Sequence, residues 1–547
     1  MAELLTGLGV SAGLAAGPVH RVAAAPQLPR PTPVADPAAE AQRAVGALTS
    51  VAAELARRAE AATDPTAAEI LRAQVMMAED PVLREAVTER VKSGTGAPHA
   101  IDAALAEHRA AFTAAGGYLA ERVADLDDLR DRAVAVCLGE PMPGIPDPGE
   151  PFILGARDLA PADTAGLDPA RVLALVTADG GPTSHTTIVA RALGLPAVVR
   201  CPGILDVPDG TLVTLDGASG DVTIGVDAGT VAETRRRERR RRERLSATSG
   251  PGRTADGHPV ALLANIGSAA DLVDDAEGVG LFRTELLYLD RTEPPGLDEQ
   301  VTTYAEVFAA AGGRKVVLRT LDAGADKPLP FLHAGAEPNP ALGVRGLRTA
   351  RRRPEVLATQ LAAIAQAAGA TGADVWVMAP MVTTPAEAAE FAGQARALGL
   401  PTAGAMVEVP AAALRAEVLL RQVDFLSIGT NDLSQYAFAA DRLCGDLADL
   451  LDPWQPVLLE LIGGCARAGV AAGKPVGVCG EAAADPALAV VLTGLGVTSL
   501  SMSARAIPAV RSALADRTLA ECQQLAAAAL AAPDAAAARA VAGQLSG

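Results

Sequence analysis

A histidine in the first half of the chain stands among residues that suit phosphoryl transfer. Residues 179–191 read DGGPTSHTTIVAR, a glycine turn after a strand, then hydroxyl residues suited to N-capping, then a helix. His185 falls in the first turn, where unpaired backbone N–H groups and the helix dipole stabilise a dianionic phosphoryl group. A neutral imidazole can form a covalent phosphoryl intermediate. A lone histidine at a helix start more often caps or packs, but the two glycines and the flanking hydroxyls favour catalysis here.

A second set of reactive side chains follows short apolar runs in the second half of the chain. Eight such runs lie from residue 258 onwards, and eight parallel strands in about this length are what a (β/α)8 barrel requires. Barrel enzymes carry their active sites at the C-terminal ends of the strands. The candidates at run ends are Arg283 (LFRTE), Arg319 (VVLRTLD), Glu408 (AMVEVP), Asn431 and Asp432 (SIGTND), and Cys479 (GVCGE).

These residue types share one chemistry if the substrate is a small phosphorylated carboxylate. Arginine binds phosphate and carboxylate oxygens in a bidentate manner and neutralises charge during transfer. Glu408 and Asp432 offer the hard oxygen ligands that Mg2+ prefers. Cys479 can donate the proton that an enolate product needs at carbon. A buried structural thiol is the commoner role of cysteine, and the position at a strand end favours the proton donor.

Changes in composition and in the spacing of apolar residues divide the chain into four predicted parts. Residues 26–144, rich in Ala, Leu, Glu and Arg at helical spacing, predict a helical subdomain of three to five helices. Residues 1–25 and 145–225 carry short apolar runs separated by Gly and Asp, and they predict a small α/β domain into which the helical part is inserted. Residues 226–254 predict a helical linker, and residues 255–547 predict the barrel.

The run RRRERRRRER at residues 235–244 allows two interpretations. Taken alone, it is typical of RNA-binding or targeting segments. Within a helical stretch that begins near residue 226 and is polar all round, it fits a solvated helix that bridges two domains. The formal net charge of −18 over 547 residues also disfavours nucleic acid and anionic membranes as partners, so we predict the bridging helix.

Composition predicts a soluble cytoplasmic protein. Hydrophobic residues make up 50% of the chain, which is typical of globular rather than disordered proteins. The apolar residues 4–19 lack the positive start of a secretory signal and predict a strand and a turn. No stretch is long and apolar enough to insert into a membrane, and the six cysteines form no C-x-x-C pair or zinc-like spacing. We therefore predict reduced thiols.

The histidine segment and the barrel segments together resemble enzyme I of the bacterial phosphoenolpyruvate-dependent sugar phosphotransferase system. GGPTSHTTIVARALGLPAVV resembles its phosphohistidine motif. LFRTELLYLDR, VVLRTLDAGADK, NPALGVRGLR, GAMVEVPAA, FLSIGTNDLSQY and GVCGE resemble its successive barrel motifs, in the same order. The matches extend over most of residues 158–503. The family usually has Arg where this chain has Pro182, and Gly where it has Ala325.

This resemblance implies a role for each matched residue. His185 is implied to accept the phosphoryl group of phosphoenolpyruvate, and Thr164, in the pattern D-L-x-P-x-x-T, to support it. Glu408 and Asp432 are implied to bind Mg2+, and Cys479 to protonate the enolate to pyruvate. The residues implied to contact or line the phosphoenolpyruvate site are Arg283, Arg319, Asn431, Asp432, Arg442, Arg345 and Lys327.

The resemblance also implies partners and motion. The phosphoryl group would pass from His185 to the phosphocarrier protein HPr as the first step of sugar uptake. The helices that contain EILRAQVMMAEDPVL resemble the carrier-binding helices of the family. A homodimer would form through the barrels. The α/β domain would swivel, because one histidine has to visit both the barrel and the carrier.

Two other functions share parts of this pattern. Phosphoenolpyruvate synthase and pyruvate phosphate dikinase carry a similar histidine motif and a barrel, but they need a nucleotide-binding domain before the histidine. The 184 residues before His185 contain no Gly-rich phosphate loop. A regulatory paralogue would bind a phosphocarrier without catalysis, and loss of Cys479, Glu408 or a site arginine would indicate it. All are present, so the sequence favours a catalytic phosphotransferase.

Overall fold

The computed structural model describes residues 2–544 apart from 23–24, 62–64, 116–122, 160–166, 182–183, 290, 325–328, 333–336, 443, 445–446 and 448. The chain divides into two compact units, Met1–Arg239 and Arg240–Gly547. The finer division into four domains remains a prediction.

The helical part of the first unit forms five helices in the described residues: α1 (Pro37–Ala61), α2 (Pro65–Glu79), α3 (Pro81–Lys92), α4 (Ala97–Ala115) and α5 (Val123–Leu138). Apolar residues at helical spacing turn inward from these helices. Completely buried among them are Leu48, Val51, Leu55, Ile101 and Leu129. The chain turns between α2 and α3 at Asp80, whose carboxylate accepts a hydrogen bond from Val82 N while Pro81 starts the helix.

A mixed eight-stranded sheet forms the α/β part of the first unit. Its strands are β1 (Glu3–Thr6), β2 (Leu8–Ser11), β3 (Leu14–Arg21), β4 (Phe152–Ala156), β5 (Val172–Thr177), β6 (Ala197–Val199), β7 (Leu212–Asp216) and β8 (Asp221–Ile224). They lie in the order β1-β8-β7-β3-β4-β5-β6-β2. The parallel pairing of β3 with β4 joins the chain on either side of the helical part.

The first residues form three strands rather than the single strand and turn that we predicted. β1 pairs with β8, whereas β2 pairs with β6 at the opposite end of the strand order. Glycine makes both interruptions possible. A Cβ on Gly7 would lie 2.6 Å from Val199 O, and Gly13 has a φ of 144°.

Two further helices follow, α6 (His185–Leu193) and α7 (Ala228–Ala247). The arginine-rich run lies on α7, as predicted, but this helix is not polar all round. Val231 and Glu238 are buried, and Glu238 Oε2 accepts a hydrogen bond from Leu14 N at 3.1 Å. Arg235 Nε donates to Ala16 O at 2.9 Å. The first half of α7 is therefore anchored on β3.

Eight parallel strands close into a barrel in the second unit. They are β9 (Ala261–Ile266), β10 (Gly278–Arg283), β11 (Lys315–Arg319), β12 (Val375–Ala379), β13 (Thr402–Val407), β14 (Phe425–Ile428), β15 (Val476–Val478) and β16 (Ser499–Met502). β16 returns to pair with β9. The predicted fold class, a multidomain α/β protein with a C-terminal (β/α)8 barrel, is confirmed.

The helices of the second unit begin and end with local signals. Thr384 and Glu387 form a capping box, and Gly312 and Gly372 end their helices in the left-handed conformation. The helices are α8 (Leu297–Ala311), α9 (Pro354–Thr371), α10 (Pro385–Ala397), α11 (Pro410–Leu414), α12 (Ala416–Leu419), α13 (Thr430–Phe438), α14 (Pro456–Ala472), α15 (Pro486–Gly494), α16 (Ile507–Ala515), α17 (Leu519–Leu530) and α18 (Ala535–Gln544). None of the helices in the described part of the chain combines the length and apolarity needed to cross a bilayer.

A layer of apolar side chains fills part of the barrel interior. Glycine at 404 makes room for it, because a Cβ there would lie 2.4 Å from the Phe425 ring. The layer consists of Leu281, Val317, Met378, Met406, Phe425 and Cys479. The barrel is thus a packed core, and one of the predicted reactive residues belongs to it.

Candidate active site

Helix α6 begins at His185, as the sequence predicts. Ser184 is its N-cap, with an extended backbone (φ −63°, ψ 156°) and an Oγ that accepts a hydrogen bond from Thr187 N at 3.3 Å. Gly180 in the preceding loop has a φ of 99°, and Gly194 ends the helix with a φ of 68°. His185 therefore belongs to the first turn, whose N–H groups are without intrahelical acceptors.

Hydroxyl groups next to His185 are tied into the structure around the start of α6. Ser184 Oγ lies 3.1 Å from Thr187 Oγ1. Thr186 Oγ1 donates a hydrogen bond to Asp158 Oδ1 at 2.8 Å, which connects the helix to the loop after β4. These contacts fix the turn that carries the histidine.

The predicted barrel residues come together at one rim, formed by the carboxyl ends of the strands. Each of them lies at the carboxyl end of a strand or within a few residues after it, and parallel strands in a closed barrel all end on the same side. Arg283 and Arg319 end β10 and β11, Glu408 and Cys479 directly follow β13 and β15, and Asn431 and Asp432 lie in the first turn of α13, after β14.

Arg319 is surrounded by carboxylates. Its Nη2 donates to Glu285 Oε1 at 3.0 Å, and its Nη1 lies 3.2 Å from Asp322 Oδ2 and 3.8 Å from Glu408 Oε1. Burial by itself lowers the pKa of this guanidinium, but the three carboxylates outweigh burial and raise the pKa overall. The Nε of Arg319 has no hydrogen-bond partner among the described residues. It is a buried donor that a ligand can use.

Arg345, predicted only to lie near the site, is completely buried within it, with 0% of its surface exposed. Its Nε and Nη2 each lie 3.1 Å from an oxygen of Asp322. Its Nη1 and Nη2 lie 2.9 Å and 3.0 Å from Oδ1 and Oδ2 of Asp432. Burial lowers the pKa of Arg345, and the two carboxylates raise it by more. A Cβ on Gly324 would lie 2.7 Å from Arg345 Cβ, so glycine permits this close approach.

Asp322, Glu408 and Asp432 form a buried carboxylate cluster beside the two arginines. One oxygen from each lies within 4.8 Å of the others. Burial, together with the negative charges of Asp322 and Asp432, raises the pKa of Glu408 to about 8 against the opposing effect of Arg319 and Arg345. The cluster therefore has a deficit of positive charge. Three hard oxygen donors at this spacing fit a divalent cation such as Mg2+.

The Glu408 carboxylate is held by the backbone. Met381, with a left-handed φ of 57°, points its N–H at Glu408 Oε2 over 2.8 Å. Glycine is required at 429, because a Cβ there would lie 2.8 Å from Glu408 Cγ. The backbone of Met381 and the space left by Gly429 therefore both help to position the Glu408 carboxylate.

Cys479 lies where the site meets the barrel interior, with 4% of its surface exposed. Its Sγ lies 3.5 Å from Ile428 O, and its carbonyl oxygen accepts a hydrogen bond from Asn265 Nδ2 at 3.1 Å. Burial raises the pKa of the thiol to about 11 despite a hydrogen bond with Ser427 and the nearby positive charge of Arg319. The thiol consequently keeps its proton at neutral pH and can act as a proton donor.

Three other predicted residues lie at the same rim. Arg442 Nη1 is 3.7 Å from Asp432 Oδ1. Asn431 Oδ1 accepts a hydrogen bond from Glu481 N at 3.3 Å. Arg283 is exposed at the end of β10. The structure therefore places one guanidinium beside the carboxylate cluster and another at the strand end that faces solvent.

Four positions discussed from the sequence lie outside the described residues. They are Thr164, Pro182, Ala325 and Lys327. The roles implied for Thr164 and Lys327 remain predictions.

Sequence reasoning missed three carboxylates that contact predicted or neighbouring residues. Asp322 binds Arg345, Glu285 binds Arg319, and Asp158 accepts from Thr186. A local signal existed for the first, because Asp322 follows Arg319 by three residues in RTLD. An acidic residue so close to a predicted substrate arginine at a strand end was a candidate partner.

Models of phosphoenolpyruvate-utilising enzymes match three parts of the chain. The N-terminal domain of that family matches residues 6–122, the mobile domain matches residues 148–220, and the phosphoenolpyruvate-binding domain matches residues 241–519. The matched parts include helices α1 to α4, strands β2 to β7 and all eight barrel strands. The class of protein that fold and site define is thus a phosphoenolpyruvate-utilising enzyme.

Similar proteins identify one family within the phosphoenolpyruvate-utilising enzymes. A phosphoenolpyruvate-protein phosphotransferase of Streptomyces coelicolor is 53% identical over 547 residues, which cover 98% of each chain. A protein of the same description from Haloferax volcanii is 40% identical over 84% of each chain. Another from Staphylococcus carnosus is 35% identical over 96% of each chain. The chain belongs to the phosphoenolpyruvate-protein phosphotransferase family, and the predicted resemblance to enzyme I is confirmed.

Proposed function

We propose that this phosphotransferase moves the phosphoryl group of phosphoenolpyruvate onto His185 and from there onto the histidine of HPr, releasing pyruvate, as the first step of sugar uptake. The observation that carries the proposal is the barrel rim, where Arg319 and Arg345 meet a buried carboxylate cluster and a protonated thiol. Phosphoryl transfer needs positioning and charge neutralisation above all. This rim supplies both.

Unsatisfied donors support an anionic substrate at the rim. Arg319 Nε at the end of β11 and Thr430 Oγ1 at the start of α13 are buried and have no hydrogen-bond partner among the described residues. Each such group costs about 1–3 kcal/mol, and oxygens of a bound phosphate and carboxylate would relieve that cost. The residues that we assign to phosphoenolpyruvate are Arg283, Arg319, Asn431, Asp432, Arg442, Arg345 and Lys327.

Glu408 and Asp432 are the proposed Mg2+ ligands. The support is their spacing with Asp322, together with the raised pKa of Glu408, which burial causes first and the negative charges of Asp322 and Asp432 second. When bound, Mg2+ polarises substrate oxygens and stabilises the charge of an enolate. Glu408 has to lose its proton before it can serve as a ligand.

Cys479 completes the proposed reaction. The bond between phosphorus and the enol oxygen breaks as a bond between phosphorus and His185 nitrogen forms, and the electron pair of the broken bond stays on the enolate. The Cys479 S–H then donates its proton to the terminal carbon, which yields pyruvate, and the thiolate regains a proton from water. A thiol pKa of about 11 favours the protonated donor.

The helical part is the proposed docking surface for HPr. Met76 on α2 and Val82 on α3 are 74% and 65% exposed, and they offer apolar contact area to a partner protein. Both lie in the segment that resembles the carrier-binding helices. We further propose a cytoplasmic homodimer through the barrels. Sedimentation equilibrium of the full chain tests the dimer by its mass.

Labelled phosphoenolpyruvate tests the function. Incubation of the full chain with the label and Mg2+ should place an acid-labile phosphoryl group on His185, and purified HPr should remove it. A His185→Ala variant is the matched control and should stay unlabelled. Label that appears only when ATP is added would instead favour a dikinase, and a wild-type protein without label would refute the transfer.

A further inference from the structure

Arg345 and the proposed Mg2+ ion compete for the carboxylate of Asp432. Asp432 is a proposed Mg2+ ligand, yet both of its oxygens are bonded to Arg345, at 2.9 Å and 3.0 Å. A divalent cation and a guanidinium on the same buried carboxylate repel each other, and water does little to screen them there. Binding of the cation therefore weakens the contact between Asp432 and Arg345.

The guanidinium of Arg345 binds a different carboxylate on each of two edges. Asp322 binds the Nε–Nη2 edge through two contacts of 3.1 Å, and Asp432 binds the Nη1–Nη2 edge. Loss of the second contact leaves the first in place. Arg345 can thus exchange one partner without leaving the site.

Asp322 is itself firmly placed. It follows β11 by three residues and is completely buried. Its backbone N–H donates to Glu285 Oε1 at 3.0 Å, and its Oδ2 lies 3.2 Å from Arg319 Nη1. The carboxylate that holds Arg345 is accordingly fixed to the strand that ends in the other arginine.

We propose that Asp322 is a positioning residue that holds Arg345 by its Nε–Nη2 edge while the adjacent Nη1–Nη2 edge passes from Asp432 to the phosphate of phosphoenolpyruvate. This inference rests on the proposed function, because it takes Asp432 as a metal ligand. While Arg345 contacts both oxygens of Asp432, it competes with the cation for that carboxylate. Substrate phosphate gives Arg345 a new partner and frees Asp432 for the cation.

A thermodynamic coupling follows. Phosphoenolpyruvate should tighten cation binding, and the cation should tighten phosphoenolpyruvate binding by the same factor. We expect a factor of about 5 to 150, the usual range for coupled ligands. Arg345 and Asp322 together would generate part of this coupling by the exchange of partners.

Mn2+ binding measures the coupling. Mn2+ accepts the same oxygen ligands as Mg2+, and free Mn2+ can be counted by its paramagnetic resonance signal. The measurement uses the full chain carrying His185→Ala, so that phosphoenolpyruvate binds without turnover. The coupling factor is the ratio of the Mn2+ dissociation constants without and with phosphoenolpyruvate.

Four proteins in this background complete a double-mutant cycle: the parent, Asp322→Asn, Arg345→Gln and the double variant. We expect Arg345→Gln to bind Mn2+ alone more tightly than the parent, since a competing cation is removed, and to lower the coupling factor at least threefold. Asp322→Asn should also lower the coupling factor at least threefold. It should have no further effect once Arg345 is replaced.

A coupling factor in Asp322→Asn within twofold of the parent would overturn the inference, and so would independent, multiplying effects of the two substitutions. Asp374→Asn is the matched control. This carboxylate precedes β12 at the opposite end of the barrel, where it accepts a hydrogen bond from Trp376 Nε1, and the coupling should be unchanged. If the parent binds no Mn2+ under either condition, the proposed metal site itself is wrong.

Arg345→Lys answers the same question should Asp322→Asn fail to fold. Lysine keeps the positive charge but has no fork with which to hold two partners at once. Loss of coupling in Arg345→Lys supports the exchange, whereas coupling equal to the parent's refutes it.

Discussion

Replacement of Arg345 by Met tests how the buried charges of the barrel rim are balanced. Methionine keeps a long side chain of similar shape but removes the positive charge that Asp322 and Asp432 share. Because Arg345 is completely buried, water cannot replace the lost contacts. The carboxylates then face one another and Glu408 within 4.8 Å.

The expected loss is large. Removing one partner of a buried ion pair costs about 3–5 kcal/mol, and a unit of about 300 residues loses about 1.5 °C of melting temperature per kcal/mol. The melting temperature should therefore fall by roughly 5–8 °C. Arg351→Met is the matched control. Its pair with Glu387, at 2.6 Å, involves an arginine side chain that is 69% exposed, and such a pair contributes about 0–1 kcal/mol.

Tryptophan fluorescence is a direct assay for the barrel. The chain has two tryptophans, Trp376 and Trp454, and both belong to the barrel unit. Thermal unfolding followed at these residues reports on that unit without interference from the other. The loss in Arg345→Met should shrink on addition of Mg2+, which restores positive charge to the cluster. It should also be smaller at pH 6 than at pH 9, because Glu408, whose pKa is raised to about 8 by burial and by the neighbouring carboxylates, is protonated at the lower pH.

Equal melting temperatures of the Arg345→Met and Arg351→Met proteins would refute this reasoning. So would a loss in Arg345→Met that neither Mg2+ nor acid reduces, because the cost would then lie in packing rather than in unbalanced charge.

Four further expectations concern catalysis, metal binding, docking and helix capping. Cys479→Ala should slow pyruvate formation by about 10²–10⁴ while phosphoryl exchange between phosphohistidine and HPr stays intact, and an equal loss of both in rapid-quench assays would show that its role is misassigned. The folded state raises the pKa of Glu408 from 4.5 to about 8, so the cation-free fold should lose stability as the pH rises from 4.5 to 8. Calorimetry should find that Mg2+ binds more tightly at pH 9 than at pH 6, and that binding at pH 6 releases a proton. Met76→Asp and Val82→Asp should raise the KM for HPr without slowing the phosphorylation of His185 by phosphoenolpyruvate. Slower phosphorylation of His185 with an unchanged KM for HPr would contradict docking at these helices. Ser184→Ala should destabilise the start of α6 by about 1 kcal/mol, seen as faster hydrogen exchange of Thr187 N–H than in a Ser219→Ala control.

Local sequence pattern was enough to place many of the candidate reactive residues in the fold. Apolar runs predicted the barrel strands, and Arg319, Glu408 and Cys479 were expected at their ends, where the structure has them. The glycines and hydroxyls before His185 predicted a helix start, and α6 begins at that residue. These features depend on side-chain periodicity and turn chemistry, which act within a few residues.

Contacts between distant segments were beyond such reasoning. Arg345 reaches Asp322 across 23 residues and Asp432 across 87, and neither distance carries a periodic signal. The amino-terminal strands show the same limit, because β1 and β2 find partners more than 180 residues away.

The sequence by itself predicted the fold class and the family, and it placed the candidate reactive residues at the carboxyl ends of the strands. Eight apolar runs that alternate with helical stretches fit a barrel, and the parallel strands of a barrel end at one rim. Only the tertiary structure decided which charge balances which. Closure of the barrel brings Arg345 between Asp322 and Asp432 and leaves Glu408 short of positive charge. The physical reason is that buried charges interact over the distances between strands, so their pairing is set by the closed ring and not by the order of residues along the chain.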